Sequence, residues 1–318
     1  MNYQKTMLEW AQEYLSYRRA MGFRLHKEGQ QLLKFAVYAD ELGHTGSLTV
    51  ELALRWSRLP VDASPLYWAR RLETVRGFAR YLSLFDPATQ IPTSRLLGPA
   101  HHRNPPHLYS EEEIQALLRE AKNLLPANGL RPRTYTTLFG LLACTGMRIG
   151  EALKLDRPDV DLDGGLLTVR LSKFGKSRFV PLHPSATEAL RQYASFLDKH
   201  HVFRHSLAFF VGQSGNRLVY STVRHVFSQL RDQLRWPPDA NGRPPRIHDL
   251  RHMFACRRLL KWCEEGIDVH CAMPTLSTYL GHAKTSDTYW YLTATPELLA
   301  TCAERFERFT GSEWRNEP

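Results

Sequence analysis

The sequence contains no long apolar run and no targeting signal. No stretch approaches the roughly 18–20 consecutive apolar residues that a membrane-spanning helix needs. The first residues, MNYQKTMLEWAQEYLSYRR, contain neither an apolar core nor the small-residue cleavage site of a secretory signal. We therefore expect a cytoplasmic protein with no membrane partner.

Cysteine is scarce, and the motifs of metal and nucleotide sites are missing. The five cysteines are odd in number and show no C-x-x-C pair, which argues against a disulfide framework and a structural zinc site and favours reduced thiols. The sequence also contains no Walker-type phosphate loop and no carboxylates spaced for two metal ions. These absences predict a protein that works without a cofactor or a metal.

Positive charge is abundant. Lys and Arg total 42 against 32 acidic residues, giving a formal net charge of +10 and a pI near 9.5. Arginine supplies 32 of the 42 basic residues, and its guanidinium matches the geometry of phosphate. This composition indicates a nucleic-acid partner, and the prokaryotic nucleoid is the expected location.

Apolar residues in the first ~85 positions repeat at helical spacing only, and Gly22 and Gly43 are placed to end the first two helices. Two more helices are predicted over 49–58 and 64–85. The last helix carries four arginines, which form either a solvated face or a set of phosphate contacts: Arg70, Arg71, Arg76 and Arg80.

Prolines and polar residues without periodicity then predict a linker, so we place a helical domain at 1–90, a linker at 91–107 and a second domain at 108–318. The group His101, His102, Arg103 and His107 has metal-binding residue types, but solvated linker is the preferred interpretation.

The second domain is predicted to be mostly α-helical with a small sheet. Ser110 and Glu113 form a capping-box signature before an apolar helical run, and helices continue to about 155. The segment LLTVRLSKFGKSRFVPL then predicts a β-hairpin that turns at K-F-G-K. Further helices are expected near 184–200, 220–235, 247–264 and 296–309.

Four short segments contain residues suited to phosphate chemistry. They are T-G-M-R-I-G-E with Arg148, the hairpin with Lys173, H-D-L-R-H from His248, and L-G-H with His282 followed nine residues later by Tyr291. Each segment alone is weak, but in this order they resemble the tyrosine recombinase (phage integrase) superfamily, in a simple two-domain form similar to mobile-element recombinases. The resemblance implies an N-terminal helical core-binding (SAM-like) domain followed by an α+β catalytic domain.

The resemblance also implies roles for five residues. Tyr291 is the nucleophile that forms a covalent 3′-phosphotyrosyl intermediate, and Arg148 and Arg251 grip the non-bridging oxygens of the phosphate. His248 and His282 hydrogen-bond the phosphate and assist proton transfer. These residue types suit the reaction, because phosphoryl transfer depends on positioning and on stabilising negative charge.

Several assignments within the site remain open in the sequence. Lys173 matches the general acid of the family, with Lys176 as its rival. Glu151 either orients neighbouring groups or lies on a helix surface, and Tyr289 competes with Tyr291, although the family offset selects Tyr291. A pocket with several cations is expected to favour the ionised form of Tyr291.

The implied partners are double-stranded DNA recombination sites and further copies of the chain, a monomer or weak dimer when free and a tetramer on two sites. The predicted C-terminal helix has one apolar face, formed by Leu298, Leu299, Cys302, Phe306 and Phe309. The resemblance implies that this helix docks into a neighbouring subunit. The alternative is that it packs on its own domain.

Two other functions stay open, a type IB topoisomerase-like nicking-closing enzyme and a catalytically retired DNA-binding regulator. If the protein is a recombinase, the sequence does not distinguish between integration, transposition and dimer resolution.

Overall fold

The computed structural model describes residues 5–101, 105–170, 177–199 and 207–293. The chain divides into two units, Met1–Asn104 and Pro105–Pro318. The domain limits predicted at 90 and 107 stay predictions.

The first unit is helical throughout its described part. Its helices are α1 (Met7–Ala20), α2 (His26–Glu41), α3 (Val50–Ser57) and α4 (Pro65–Leu82). Thr6 and Ser64 cap α1 and α4 by accepting hydrogen bonds from backbone N–H groups of the first turn. Gly22 and Gly43 follow α1 and α2 with φ of 88° and 67°, the left-handed conformation that ends a helix.

The core of the first unit forms where α4 packs against the other three helices. Phe35, Trp56, Val75 and Phe78 are buried there. Residues 92 and 100 of the predicted linker contact this bundle, since the carbonyls of Pro92 and Ala100 accept hydrogen bonds from Arg76 and Arg70 of α4 at 2.9 and 3.0 Å. The segment expected to begin a linker therefore contributes to the first unit.

The second unit begins with α5 (Glu111–Lys122), α6 (Leu130–Thr145) and the single turn α7 (Ile149–Ala152). The predicted capping box is present, since Ser110 Oγ accepts from the Glu113 N–H at 3.2 Å and the Glu113 carboxylate accepts from the Ser110 N–H at 2.8 Å.

The sheet contains β1 (Val160–Asp161), β2 (Leu166–Val169) and β3 (Arg178–Pro181), antiparallel in that order. β2 and β3 are the predicted hairpin, in register through Leu167 and Val180. The pairing buries both of these side chains in the core of the unit. The turn of the hairpin lies outside the described residues.

Four more helices follow: α8 (Pro184–Lys199), α9 (Tyr220–Gln233), α10 (Asp249–Glu264) and α11 (Val269–Leu280). α8, α9 and α10 agree with the predicted positions, whereas α11 was not predicted. It contains Pro274, and Asp268 caps its start. The short α12 (Ser286–Tyr289) continues into a 3-10 turn, Trp290–Thr293. The predicted C-terminal helix lies outside the described residues.

No helix in the part of the chain described here has the length and apolar character required to cross a bilayer.

Candidate active site

The candidate site forms where three helix ends meet in the second unit. α6 ends at Thr145 and is followed by Gly146, two residues before Arg148, and α10 begins after His248. α11 ends at Leu280, just before Gly281 and His282. Helix ends expose backbone groups that have no partner within the helix, so they are suited to hold polar side chains.

Arg148 lies at the start of α7 and is held from two sides. Its Nη1 donates to Glu151 Oε1 at 2.8 Å and to the Leu280 carbonyl at 3.3 Å. Its Nη2 donates to the Gly281 carbonyl at 3.2 Å. These bonds leave the guanidinium partly exposed and fixed in orientation.

Arg251 lies in the first turn of α10 and is 2 % exposed. It donates to the carbonyls of Gly146 and Leu280 at 3.0 and 2.8 Å, and to His282 Nε2 at 2.9 Å. Burial, with the nearby charge of Arg148, lowers the pKa of Arg251 to about 10, so the guanidinium stays charged near neutral pH.

Gly146 must be a glycine for geometric reasons. Its φ is +60°, and a Cβ added there would collide with the Phe254 ring. The tight turn that results aims the Gly146 carbonyl at Arg251.

His282 is held in one tautomer by its neighbours. Because a guanidinium only donates hydrogen bonds, Nε2 must accept from Arg251, and Nδ1–H then donates to Thr288 Oγ1 at 2.7 Å. Burial and the charge of Arg251 lower the pKa of His282 to about 4. The imidazole is therefore neutral near neutral pH.

His248 lies one helical turn before Arg251, as predicted, with its side chain at the surface. Loss of water around the ring and the charge of Arg251 lower the pKa of His248 to about 4. His248 is thus also neutral near neutral pH.

Tyr291 lies in the 3-10 turn after α12 and is 3 % exposed. Its ring centroid is 5.4 Å from that of His252 and 5.9 Å from those of His282 and Trp290. Burial raises its pKa, although the charge of Arg251 acts in the opposite direction. The surrounding cations favour the ionised form, as predicted, but burial outweighs them and the pKa of Tyr291 is raised.

Tyr289, the rival tyrosine, lies in different surroundings. It is 37 % exposed, and its hydroxyl is 3.4 Å from His270 Nδ1. The two tyrosines point in different directions along the same turn, as their spacing predicts. Tyr291, not Tyr289, stacks on His282 beside the arginine pair.

Comparison with known proteins identifies the family. The model of the phage integrase family matches residues 108–297, more than half of the chain.

This chain belongs to the phage integrase family.

Relatives agree with this membership. The chain is 44 % identical over 310 residues to "Putative integrase/recombinase y4rB" of Sinorhizobium fredii, covering 95 % of this chain and 98 % of the relative. It is 30 % identical over 235 residues to the tyrosine recombinase XerC of Staphylococcus saprophyticus, covering 73 % and 72 %.

Solved structures with the same fold include the Tn1549 transposon integrase in complex with transposon right end DNA. The TM-score between the two structures is 0.70 at 13 % sequence identity, and the match covers 96 % of this chain and 100 % of the integrase chain. The XerH site-specific recombinase bound to difH substrate has a TM-score of 0.64 at 20 % identity, covering 88 % and 79 %. The predicted fold class, mainly α with a small sheet, is confirmed.

Some of the expected family residues lie outside the described part of the chain. Lys173 and its rival Lys176 belong to residues 171–176, so the assignment of the general acid stays a prediction. The apolar face proposed for the C-terminal helix lies outside as well.

The four arginines of α4 differ in their surroundings. Arg71 is 8 % exposed, donates to the Trp56 carbonyl at 2.7 Å and lies over the Trp56 ring at 3.6 Å. Arg70 and Arg76 donate to backbone carbonyls of residues 100 and 92, and Arg80 is exposed. Arg71 therefore offers a phosphate the least surface, and DNA contact by all four stays a prediction.

Of the histidine cluster considered for metal, His102 and Arg103 lie outside the described residues. His107 lies 3.0 Å from the Glu113 carboxylate, and no group of three or more potential metal ligands occurs among the described residues.

Three residues of the site were not assigned a role from the sequence. Thr288 orients His282, and His252 and Trp290 surround the Tyr291 ring. His252 lies in the H-D-L-R-H segment, so its proximity to Arg251 was the one available signal. Their roles depend on contacts between separate helices, which no local pattern shows.

Proposed function

We propose that this protein is a site-specific DNA recombinase that cleaves and rejoins strands through a 3′-phosphotyrosyl bond at Tyr291. The observation that supports this most directly is the convergence of Arg148, Arg251 and His282 at the end of α11, with the Tyr291 ring stacked on His282 at 5.9 Å. Membership of the phage integrase family supports the same activity.

Arg148 and Arg251 form a pair, here called the arginine clamp, that suits a phosphodiester. A guanidinium has five N–H donors, and the bonds among described residues use three on Arg148 and three on Arg251. The partly exposed guanidinium of Arg148 offers its remaining donors to the non-bridging oxygens, where negative charge accumulates during transfer, and the buried Arg251 adds its positive charge behind it. Both guanidiniums are held by hydrogen bonds within the protein, which fixes their orientation as preorganised stabilisation requires.

In the proposed step, the Tyr291 hydroxyl oxygen attacks phosphorus and the bond to the 5′ oxygen breaks. The tyrosyl proton must leave, and neutral His248 has a ring nitrogen able to accept it. His282 Nε2 already accepts a hydrogen bond from Arg251, so His282 would take the proton only after that bond breaks. The leaving oxygen takes a proton from a general acid, for which we propose Lys173. Attack by the 5′ hydroxyl of another strand reverses the step and rejoins the DNA.

The number of phosphodiester bonds is unchanged at each transfer, so we propose that ATP is not required. We also propose that the charges of the arginines and of Lys173 take the place of a metal ion. Exchange between two duplexes needs two cuts in each, and we propose a tetramer on two sites. The relative named as an integrase/recombinase supports a role in moving a genetic element.

The test uses a duplex that the full-length protein selects from a random-sequence pool, with one strand nicked so that the cleaved fragment escapes. Incubation followed by a denaturing gel should show a covalent protein–DNA adduct, and two intact sites should exchange strands. An adduct without exchange would instead indicate a nicking-closing enzyme. Binding without an adduct would indicate a regulator and contradict the proposal.

A further inference from the structure

A buried carboxylate lies behind the arginine clamp. Glu151 is 7 % exposed and accepts two hydrogen bonds from Arg148, through Nη1 at 2.8 Å and the backbone N–H at 3.0 Å. It accepts two more from Arg178, through Nη1 at 3.1 Å and Nη2 at 2.8 Å. One carboxylate is thus shared between two guanidinium groups.

Glu151 is ionised in this position. Burial on its own would raise the pKa, but the hydrogen bonds and charge of Arg178, followed by those of Arg148, lower it to about 2. A buried charge of this kind is costly unless it is paired and hydrogen-bonded. The pairing with Arg178 is forked, the stronger geometry for an arginine and a carboxylate.

Arg178 lies on the inner side of this group. It is the first residue of β3, and its side chain is 9 % exposed against 24 % for Arg148. Its Nε donates to the Tyr279 carbonyl at 2.7 Å, next to the backbone carbonyls that hold Arg148. Arg148 is therefore the guanidinium open to a ligand, and Arg178 lies behind it.

Charge balance shows what Arg178 contributes. If Glu151 were paired with Arg148 alone, its negative charge would neutralise that guanidinium, and a phosphate would meet a weaker cation. With Arg178 present, two positive charges share one negative charge, and the group keeps a net charge of +1.

We propose that Arg178 is a positioning residue, which compensates the charge of Glu151 so that Arg148 retains its own for the phosphate. This rests on the proposed function. Glu151 in turn holds Arg148 in one orientation, so the carboxylate provides geometry and Arg178 offsets its charge. The alternative is that Arg178 has a structural role only, in which its hydrogen bonds connect β3 to α7 and α11 without affecting the charge of Arg148.

The test is a double-mutant cycle of Arg178→Gln and Glu151→Gln, measured as the single-turnover cleavage rate on the nicked duplex and as the Kd for the same duplex. We expect Arg178→Gln to lower the rate by roughly 10-fold to 100-fold, the scale for residues that support a ligating group, with little change in Kd. In the Glu151→Gln background the charge to be compensated is gone, so adding Arg178→Gln should cost much less.

Two further variants complete the design. Arg178→Lys keeps the charge and loses the forked geometry, so its rate should exceed that of Arg178→Gln. Arg157→Gln is the matched control, because it breaks a forked pair with Asp198 at the surface, outside the site, and should leave the rate unchanged.

Circular dichroism checks that each variant folds. If Arg178→Gln does not fold, the cleavage rates of Glu151→Gln and of the double variant are compared instead. The double variant has no unpaired buried carboxylate, so we expect it to fold and to cleave at nearly the rate of Glu151→Gln. Wild-type rates in Arg178→Gln, or an equal loss in both backgrounds, would overturn the inference. A wild-type protein that forms no adduct would overturn the proposed function itself, a different result.

Discussion

Arg148 and Arg251 donate hydrogen bonds to one acceptor, the carbonyl oxygen of Leu280, at 3.3 and 2.8 Å. Two guanidinium groups repel each other, but the C-terminus of a helix carries a partial negative charge. Leu280 is the last residue of α11, so this helix end holds both cations in one place. Contacts within the fold therefore hold the two guanidinium groups together.

Loss of either clamp arginine should slow cleavage far more than it weakens binding. We expect Arg148→Lys or Arg251→Lys to lower the single-turnover rate by roughly 10²–10³, the scale for removing one transition-state donor, because lysine lacks the fork. Excess EDTA should not alter the wild-type rate. Activity that disappears with chelator and returns with magnesium would contradict a site built on cations of the protein alone.

Tyr291→Phe should abolish the covalent adduct and leave DNA binding nearly intact, because the substitution removes only a hydroxyl from a buried ring. Tyr289→Phe is the matched control and should retain the adduct, since that hydroxyl lies beside His270. A denaturing gel of both variants measures this. The reverse pattern would make Tyr289 the nucleophile.

Acid should destabilise the fold through two histidines. The pKa values of His252 and His282 are lowered, chiefly by burial, to about 3 and 4 from an unfolded value of 6.5. Between these values and 6.5 the unfolded chain binds more protons, so the stability present above 6.5 is lost as the pH falls.

The measurement is the thermal midpoint from pH 7 to about pH 4. His252→Gln should flatten the acid side of the curve, because it removes one of the groups that titrate only on unfolding. His183→Gln, at an exposed position before α8, is the control and should leave the curve unchanged. Identical curves for all three proteins would contradict the assignment.

The arginines of α4 should separate into two kinds. Arg80→Gln removes an exposed charge and should reduce the slope of log affinity against log salt by about 0.9, the effect of one lost phosphate contact, without changing the thermal midpoint. Arg71→Gln should instead lower the midpoint, because it loses the bond to the Trp56 carbonyl and the contact with its ring. An unchanged slope for Arg80→Gln would mean that Arg80 does not contact DNA.

Local sequence patterns predicted most elements of the second unit because their signals are short in range. The capping box at Ser110 and the apolar alternation of β2 and β3 act between near neighbours, and both occur as expected. α11 was not predicted, because Pro274 interrupts its pattern. β1 was not predicted either, because it is only two residues long.

The sequence by itself determined which chemical groups are available to this protein. Their types and their order along the chain were enough to indicate phosphate chemistry: Arg148, His248, Arg251, His282 and Tyr291. Only the tertiary structure decided the state of each group.

Burial is a property of the packed chain. It raises the pKa of Tyr291, whereas the charge of Arg251 lowers it. Packing likewise placed Arg71 in the interior of the first unit and Arg178 behind Glu151. Such long-range contacts have no local pattern, because they join residues whose separation in the sequence carries no information about their distance in space.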